Sequence, residues 1–207
     1  MAKQIEGVYE NILRCAKEEF LTKGFNDASL RIIAKSANTS TGSIYTRFKD
    51  KNGLFLALVK PLIDMIREMS LELDSTFNRQ DAKTQSETMA DFCMTSHADI
   101  IDFLYANKDA VILLFNCSHG SSCENFLDEL IAIEEKSTTN YLKTIGHGNL
   151  LEDEVASKFI HNLCVTYCNG IFEPLLQNLT CEQAHAYDLM STKYHTTGFN
   201  NLFKLKS

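Results

Sequence analysis

Little in this 207-residue sequence interrupts a helix. There are two prolines and nine glycines, and no run alternates apolar with polar residues convincingly. A half-buried strand needs period two, whereas helices are broken mainly by Pro and Gly. The scarcity of both signals excludes a sheet-based fold and leaves an all-α chain. Long apolar runs are missing too. The longest are short and interrupted, as at 110–115, far below the ~20 residues that cross a bilayer, so no membrane partner is expected. The start of the chain lacks the basic, apolar and small-residue segments of a secretory signal, which makes a cytoplasmic location the expectation. Catalytic motifs are absent as well: there is no Gly-rich phosphate loop after a strand, no HExxH pair and no GxSxG elbow. The carboxylates and histidines have no spacing that assigns acid, base or nucleophile roles. Neither an enzyme nor a cofactor is expected.

What is present is an ordinary globular composition, 44% hydrophobic and 23% charged, which excludes disordered and fibrous classes. Seven cysteines occur, at Cys15, Cys93, Cys117, Cys123, Cys164, Cys168 and Cys181. The number is odd, most fall in helical apolar patterns, and a chain of this length needs no staples, so free thiols are expected. Cys93 and His97 are spaced to share one helical face. Cys117, His119 and Cys123 sit near a loop, and His161, Cys164 and Cys168 are also helically spaced. Thiolate and imidazole suit zinc or another soft to borderline metal. There is no CxxC pair, however, and nothing brings these groups together, so no metal ligand is assigned.

The net charge of −7 is unevenly distributed. Residues 1–51 hold nine basic and six acidic side chains, whereas the remainder holds eleven basic and twenty-one acidic ones. Phosphate affinity follows the local field rather than the sum over the chain. The asymmetry predicts a small DNA-facing domain over 1–51 and a larger acidic body over 52–207.

Apolar residues recur at spacings of three and four. Ile5, Val8, Tyr9, Ile12, Leu13, Ala16 and Phe20 form the stripe of a first helix that Gly24 closes. Ser29 is placed to cap a second helix through Leu30, Ile33 and Ala34. Ala37-Asn38-Thr39 reads as a tight turn, and a third short helix follows through Gly42 and Ile44 to about Thr46. A fourth begins near Lys51 and contains Pro61, where a bend or helix junction is expected. Further helices are predicted over 84–105, 108–117, 122–145, 152–177 and 181–203, with a break at 146–149. The expected architecture is about nine helices, three of them in a compact head.

Residues 29–48 fit a helix-turn-helix, in which a recognition helix enters the major groove while its neighbours hold it against the backbone. Leu30, Ile33, Ala34, Ala37 and Ile44 can pack inward, and Asn38 tolerates a left-handed turn. Ser40, Thr41, Ser43, Thr46 and Arg47 are then exposed on the third helix, and Gly42 leaves room for the duplex. Hydroxyls can bond to bases or phosphates, and the Thr methyl can meet a thymine methyl. Ser29 heads a helix whose backbone donors can face a phosphate. Tyr45, Arg47 and Lys51 are the candidate anchors.

An ordered set of residues carries a more specific likeness. Phe20, Gly24, Phe25, Ser29, Ile33-Ala34, Ala37, Ser40, Gly42, Ser43, Ile44, Tyr45, Phe48, Lys49, Asp50, Lys51, Leu54 and Phe55 together resemble the DNA-binding signature of the TetR family of transcriptional regulators. The likeness covers roughly residues 9–56. It implies that Thr41, Gly42 and Ser43 lie close to bases, and that Ser29, Ser40, Tyr45 and Lys51 serve mainly the backbone. Three departures leave the motif intact: Asn38 stands for the usual turn glycine, Thr39 for a commonly apolar residue, and Thr46-Arg47 for a Tyr-His or similar pair, the last bearing on the operator preference.

The resemblance further implies a C-terminal helical body that binds an effector and forms a homodimer through its last two long helices. The candidates there are Val155, Phe159, Leu163, Val165, Tyr167 and Ile171, then Ala184, Tyr187, Leu189, Tyr194 and Phe199, some of which must fill the monomer core. Two-fold pairing would present two recognition helices to palindromic double-stranded operator DNA. The aromatic and sulfur-rich central helices allow an apolar pocket for a small hydrophobic effector, although a Phe or Met in a bundle is more often plain core. A repressor is favoured because a bound dimer can act simply by blocking polymerase. The alternatives are a metal- or thiol-sensing regulator of the same fold, and a helical interaction protein that no longer binds DNA.

Overall fold

A computed structural model describes the backbone of residues 2–203 and the side chains of residues 7–203. Ile5, on the predicted stripe of the first helix, has its side chain outside the described residues. Among the described residues there are nine α-helices, one 3-10 turn and no strand. The chain divides into two compact units, Met1–Met65 with Asn107–Phe126, and Ile66–Ala106 with Leu127–Ser207.

The first unit starts with α1 (Ala2–Asp27), whose Ile12, Ala16 and Phe20 are fully buried. Gly24 leaves helical geometry at φ 71°, ψ 171°, a region open to a residue without Cβ. The break turns Phe25 back into the core, where it stacks on Phe20 at 6.1 Å and meets the edge of Phe55 at 5.4 Å. Helices α2 (Leu30–Ser36) and α3 (Thr41–Phe48) follow. Asn38 takes φ 51° between them, and the Thr39 N–H donates to the Ala34 carbonyl at 2.9 Å. The predicted tight turn is therefore formed, with Asn38 in the conformation expected of it.

Helix α4 (Lys51–Asn78) begins where Asp50 accepts the Gly53 N–H at 2.7 Å. Gly53 packs so closely on the end of α3 that a Cβ there would stand 1.9 Å from the Phe48 carbonyl oxygen. Contrary to the expected junction, α4 runs through Pro61 as one helix. Pro removes a single backbone donor, and burial of Val59, Leu62, Ile63 and Ile66 on both sides holds the flanking turns.

The first unit is larger than the head expected over 1–51. It takes in the start of α4, α6 (Lys108–Asn116) and the following loop. Val111, Leu113 and Leu114 of α6 are buried. Lys17 pairs with Asp109 at 2.6 Å, the Phe25 N–H donates to the Cys117 carbonyl at 2.7 Å, and the Asn52 amide exchanges hydrogen bonds with Ser122. The division into compact units thus falls inside α4, after Met65.

The second unit packs the later part of α4 with α5 (Ala82–Ala106), α7 (Phe126–Thr144) from Leu127 onward, the Gly148–Glu152 turn, α8 (Glu154–Leu176) and α9 (Cys181–Leu202). Its core gathers Phe77, Tyr141, Leu142, Ile145, Ile160 and Phe203, each worth about 1.5–3 kcal/mol when fully buried. The helix starts are capped. Asp153 accepts the Ala156 N–H at 2.8 Å, and Thr180 and Gln183 form a reciprocal capping box, an arrangement that satisfies otherwise orphaned donors. No described helix is long and apolar enough to cross a membrane.

Candidate nucleic-acid interface and ligand cavity

Helix α3 is anchored from beneath and open above. Ile44 and Phe48 are buried, and Tyr9 of α1 stacks on Phe48 at 5.2 Å. On the other side Ser40, Gly42, Tyr45 and Thr46 are exposed, with Thr41, Ser43 and Arg47 half-buried. Tyr45 is 53% exposed, uncommon for a ring unless something covers it. Nothing within the fold fills the space at Gly42, where a Cβ would meet only the Ser40 Oγ at 3.6 Å.

The nine predicted residues separate by what already holds them. Ser40 is the N-cap of α3 and accepts the Ser43 N–H at 3.1 Å. The Thr46 hydroxyl donates to the Gly42 carbonyl at 2.8 Å. Arg47 folds back along α3, donating to the Ser43 carbonyl at 3.2 Å and to the Ser43 hydroxyl. Ser29 is the N-cap of α2 without a side-chain cap bond, and its N–H is taken by the Glu19 carboxylate at 3.1 Å. Lys51 donates to the carbonyls of Asn26 at 2.9 Å and Ala28 at 3.3 Å, with its ammonium 4.8 Å from the centre of the Phe25 ring. In this structure Lys51 braces the α1–α2 connection. The side chains of Thr41 and Tyr45 keep no such internal bond among those described.

Sequence reasoning missed the residues that position α3. Asn11 donates from its side-chain amide to the Ala37 carbonyl at 2.9 Å, tying α1 to the turn. Glu19 holds the start of α2, and Gly53 allows α4 to close against α3. Each is a single polar or small residue inside an otherwise apolar pattern, so periodicity gives it no weight.

The second unit contains a cavity of about 360 Å³, open to solvent beside Phe159 and Tyr194, within the size range of small-molecule sites. Phe77, Phe92, Tyr141, Phe159, Tyr167 and Phe199 contribute to a mainly apolar wall. A polar chain lies at one side, where His97 Nδ1 meets Asp188 at 2.7 Å and its Nε2 meets the Tyr167 hydroxyl at 2.7 Å. An ionised Asp188 can only accept, so Nδ1 carries the proton in that contact. Glu134 also opens into the cavity, with Thr138 donating to it at 3.2 Å. Burial raises the pKa of its carboxyl, opposed by that hydrogen bond and by His97.

All seven cysteines are free thiols. Burial pushes Cys93 up to about 11 and Cys164 up to about 12, the latter reinforced by Glu134. The thiolate is the reactive form, so both thiols are poorly suited to redox sensing. Iodoacetamide at neutral pH is expected to alkylate Cys93 at least about a hundredfold more slowly in the folded protein than after denaturation, since two pKa units cut the thiolate a hundredfold. Peptide mass spectrometry measures this, and equal rates in the two states would contradict it. None of the three Cys/His groupings predicted from spacing gathers three ligand groups among the described residues. The trio that does is Asp102, Cys181 and His185, where Asp102 accepts from His185 at 2.8 Å and from Cys181 at 3.5 Å.

Comparison with known proteins agrees with this geometry. Residues 12–58 match the family described as bacterial regulatory proteins, tetR family. Over 63 residues, 30% of this chain, the sequence is 41% identical to the uncharacterized HTH-type transcriptional regulator YvdT of Bacillus subtilis (strain 168). That match covers 32% of the relative, so the chain spans about a third of its length. Over nearly the whole chain the fold is similar to two solved structures at 16% identity. One is NalD, the secondary repressor of the MexAB-OprM multidrug efflux pump in Pseudomonas aeruginosa, with TM-score 0.52, covering 93% of this chain and 97% of that one. The other is the fatty acid degradation regulator FadR from Bacillus halodurans, with TM-score 0.56, covering 92% and 98%. At that identity the likeness establishes the fold, and the similarity to the tetR family rests on residues 12–58, where Ile44 and Phe48 seat α3 beneath an exposed Gly42 and Tyr45. Through that segment the chain is similar to the tetR family of bacterial regulatory proteins.

Proposed function

We propose that the protein is a sequence-specific DNA-binding transcriptional regulator, a cytoplasmic homodimeric repressor that leaves its operator when a small molecule occupies the cavity of the second unit. No catalytic role is part of this reading. The observation that carries it is the exposed face of α3, where Thr41, Gly42, Ser43 and Tyr45 stand over a buried apolar underside. Such a face suits the major groove, with Ser40, Thr46 and Ser29 beside it. Arg47 and Lys51 would reach phosphates only by giving up the internal bonds described above. NalD and FadR, described as a repressor and a regulator, support the same reading.

The second partner is another copy of the chain. Val155 and Phe159 on α8, with Leu189, Met190, Tyr194 and Leu202 on α9, are large apolar side chains left exposed. A self-complementary pairing of these helices would bury them and set two α3 helices on a palindrome. Release requires the effector to bind one arrangement of the dimer better than the other. Helix α4 is the proposed link, because Leu54 and Phe55 belong to the core of the first unit while Phe77 and Asp74 line the cavity.

Selection from a random duplex library at fixed moderate salt is expected to enrich a palindrome, and a folded, ligand-free preparation that enriches nothing would overturn the reading. Gly42→Ala then tests the contact face. The fold has room for the methyl and Ala favours a helix, so thermal stability is expected to hold or rise. Operator affinity is nevertheless expected to drop about tenfold or more, the equivalent of ~1.4 kcal/mol. Unchanged affinity in a mobility-shift titration would remove Gly42 from the interface.

A further inference from the structure

The cavity contains one feature that a simple apolar pocket does not need. Among the described residues that line it there is no lysine or arginine, yet Glu134 and Asp74 are both present. The other carboxylate nearby, Asp188, is matched by His97 at 2.7 Å and by the Thr192 hydroxyl at 3.4 Å. Asp74 is held by the Asn78 side-chain amide. Glu134 has only the Thr138 hydroxyl, and no ion pair includes it among the described residues. A half-buried carboxylate on an apolar cavity wall without a counter-charge is costly, and desolvation there already suppresses its acidity. A core position filled only for packing would be better served by Leu or Gln.

Eight aromatic rings share the cavity with this carboxylate, among them Phe77, Phe92, Phe159, Tyr167 and Phe199. Ring faces attract cations, most strongly where water is excluded. The charge of a ligand therefore decides its fit. An anion would face Glu134 and Asp74 with no fixed cation to offset them. A neutral apolar molecule would fill the volume but leave Glu134 unmatched. An organic cation would bring the missing counter-charge and place its apolar body on the rings.

We infer that the cavity is built for an amphiphilic organic monocation, a quaternary ammonium or hydrophobic amine, with Glu134 as its counter-ion and the surrounding aromatic side chains as its apolar wall. This deepens the reading of the cavity as the effector site and rests on it for regulatory meaning.

The test is a charge series on one chain length, with decyltrimethylammonium, 1-decanol and decanoate titrated calorimetrically into the purified full-length protein without DNA. The ammonium is expected to bind most tightly, the alcohol at least about tenfold more weakly, and decanoate weakest. Glu134→Gln, isosteric and uncharged, is expected to weaken the ammonium about tenfold or more while changing the alcohol less than about threefold. Decanol or decanoate binding as tightly as the ammonium in the wild-type protein overturns the inference without recourse to any variant. So does a folded Glu134→Gln protein that keeps the full preference. Operator binding is read separately. A cation preference in a protein that selects no DNA sequence supports the cavity assignment and removes the regulator. Operator binding without the preference leaves the regulator and removes the ligand class.

Discussion

Placing aspartate at both Leu189 and Met190 is expected to yield a monomer whose operator affinity falls at least about a hundredfold, because the second half-site contact is no longer tethered to the first. The two side chains are 55% and 67% exposed on α9, near Tyr194 at 77%, while Val155 on α8 is exposed to 78%. Residues so exposed contribute little to the core, so the substitutions spare the monomer. In a two-fold interface, however, each aspartate enters twice. Four carboxylates would lose water and repel one another at the centre of an apolar contact, where unpaired charge is poorly tolerated. Light scattering after size exclusion reads the mass, and a mobility-shift titration at the same salt reads the affinity. A dimer with unaltered operator binding would show that α9 does not form the interface.

The second large effect is expected at Phe55. The residue is fully buried and meets Phe20 edge-on at 5.0 Å and Phe25 at 5.4 Å. Phe55→Ala removes the hub of this triad and leaves a cavity, a change that costs about 3–5 kcal/mol. Whole domains are stable by only ~5–15 kcal/mol, so the first unit should be largely destabilised and operator binding lost. Ile32→Ala is the control. Ile32 is exposed on α2, and its removal should stay within about 0.5 kcal/mol. Urea unfolding followed by circular dichroism compares the two. A Phe55→Ala midpoint equal to that of Ile32→Ala would refute the packing argument.

The helices were legible where apolar periodicity and a punctuating residue coincide. The stretches predicted over 108–117, 152–177 and 181–203 match α6, α8 and α9 to within two residues. Gly24 and Asn38 take the positive φ predicted of a helix terminator and a turn residue. Of the bend or junction expected at Pro61, the junction is absent: the local cost of Pro is known from sequence, whereas the packing of Val59, Leu62, Ile63 and Ile66 that keeps the helix continuous is not. Composition places a charge step near residue 51, and only the fold shows that α6, more than fifty residues later, packs into the first unit through Val111, Leu113 and Leu114.

The candidate DNA face was legible as a set of residues, and its internal bonding was not. Spacing put Ser40, Gly42, Tyr45 and Arg47 on one short helix. Only the fold shows Arg47 lying back on Ser43 and Lys51 reaching the carbonyls of Asn26 and Ala28. A flexible cation takes whichever acceptor is nearest, and proximity between residues 25 positions apart is a tertiary fact.

By itself the sequence determined the helical class, the order and approximate limits of the helices, and a three-helix signature that resembles one family of regulators over residues 12–58. All of these follow from interactions within about one helical turn, which the spacing of residues encodes. The tertiary structure decided what shares a cavity and what shares a surface. Glu134, Asp74 and His97 come from three different helices, and α8 and α9 leave Val155, Leu189 and Tyr194 exposed. Those relations depend on packing between distant segments, where the same apolar stripe can serve a core, a cavity or a partner until the chain has closed around it.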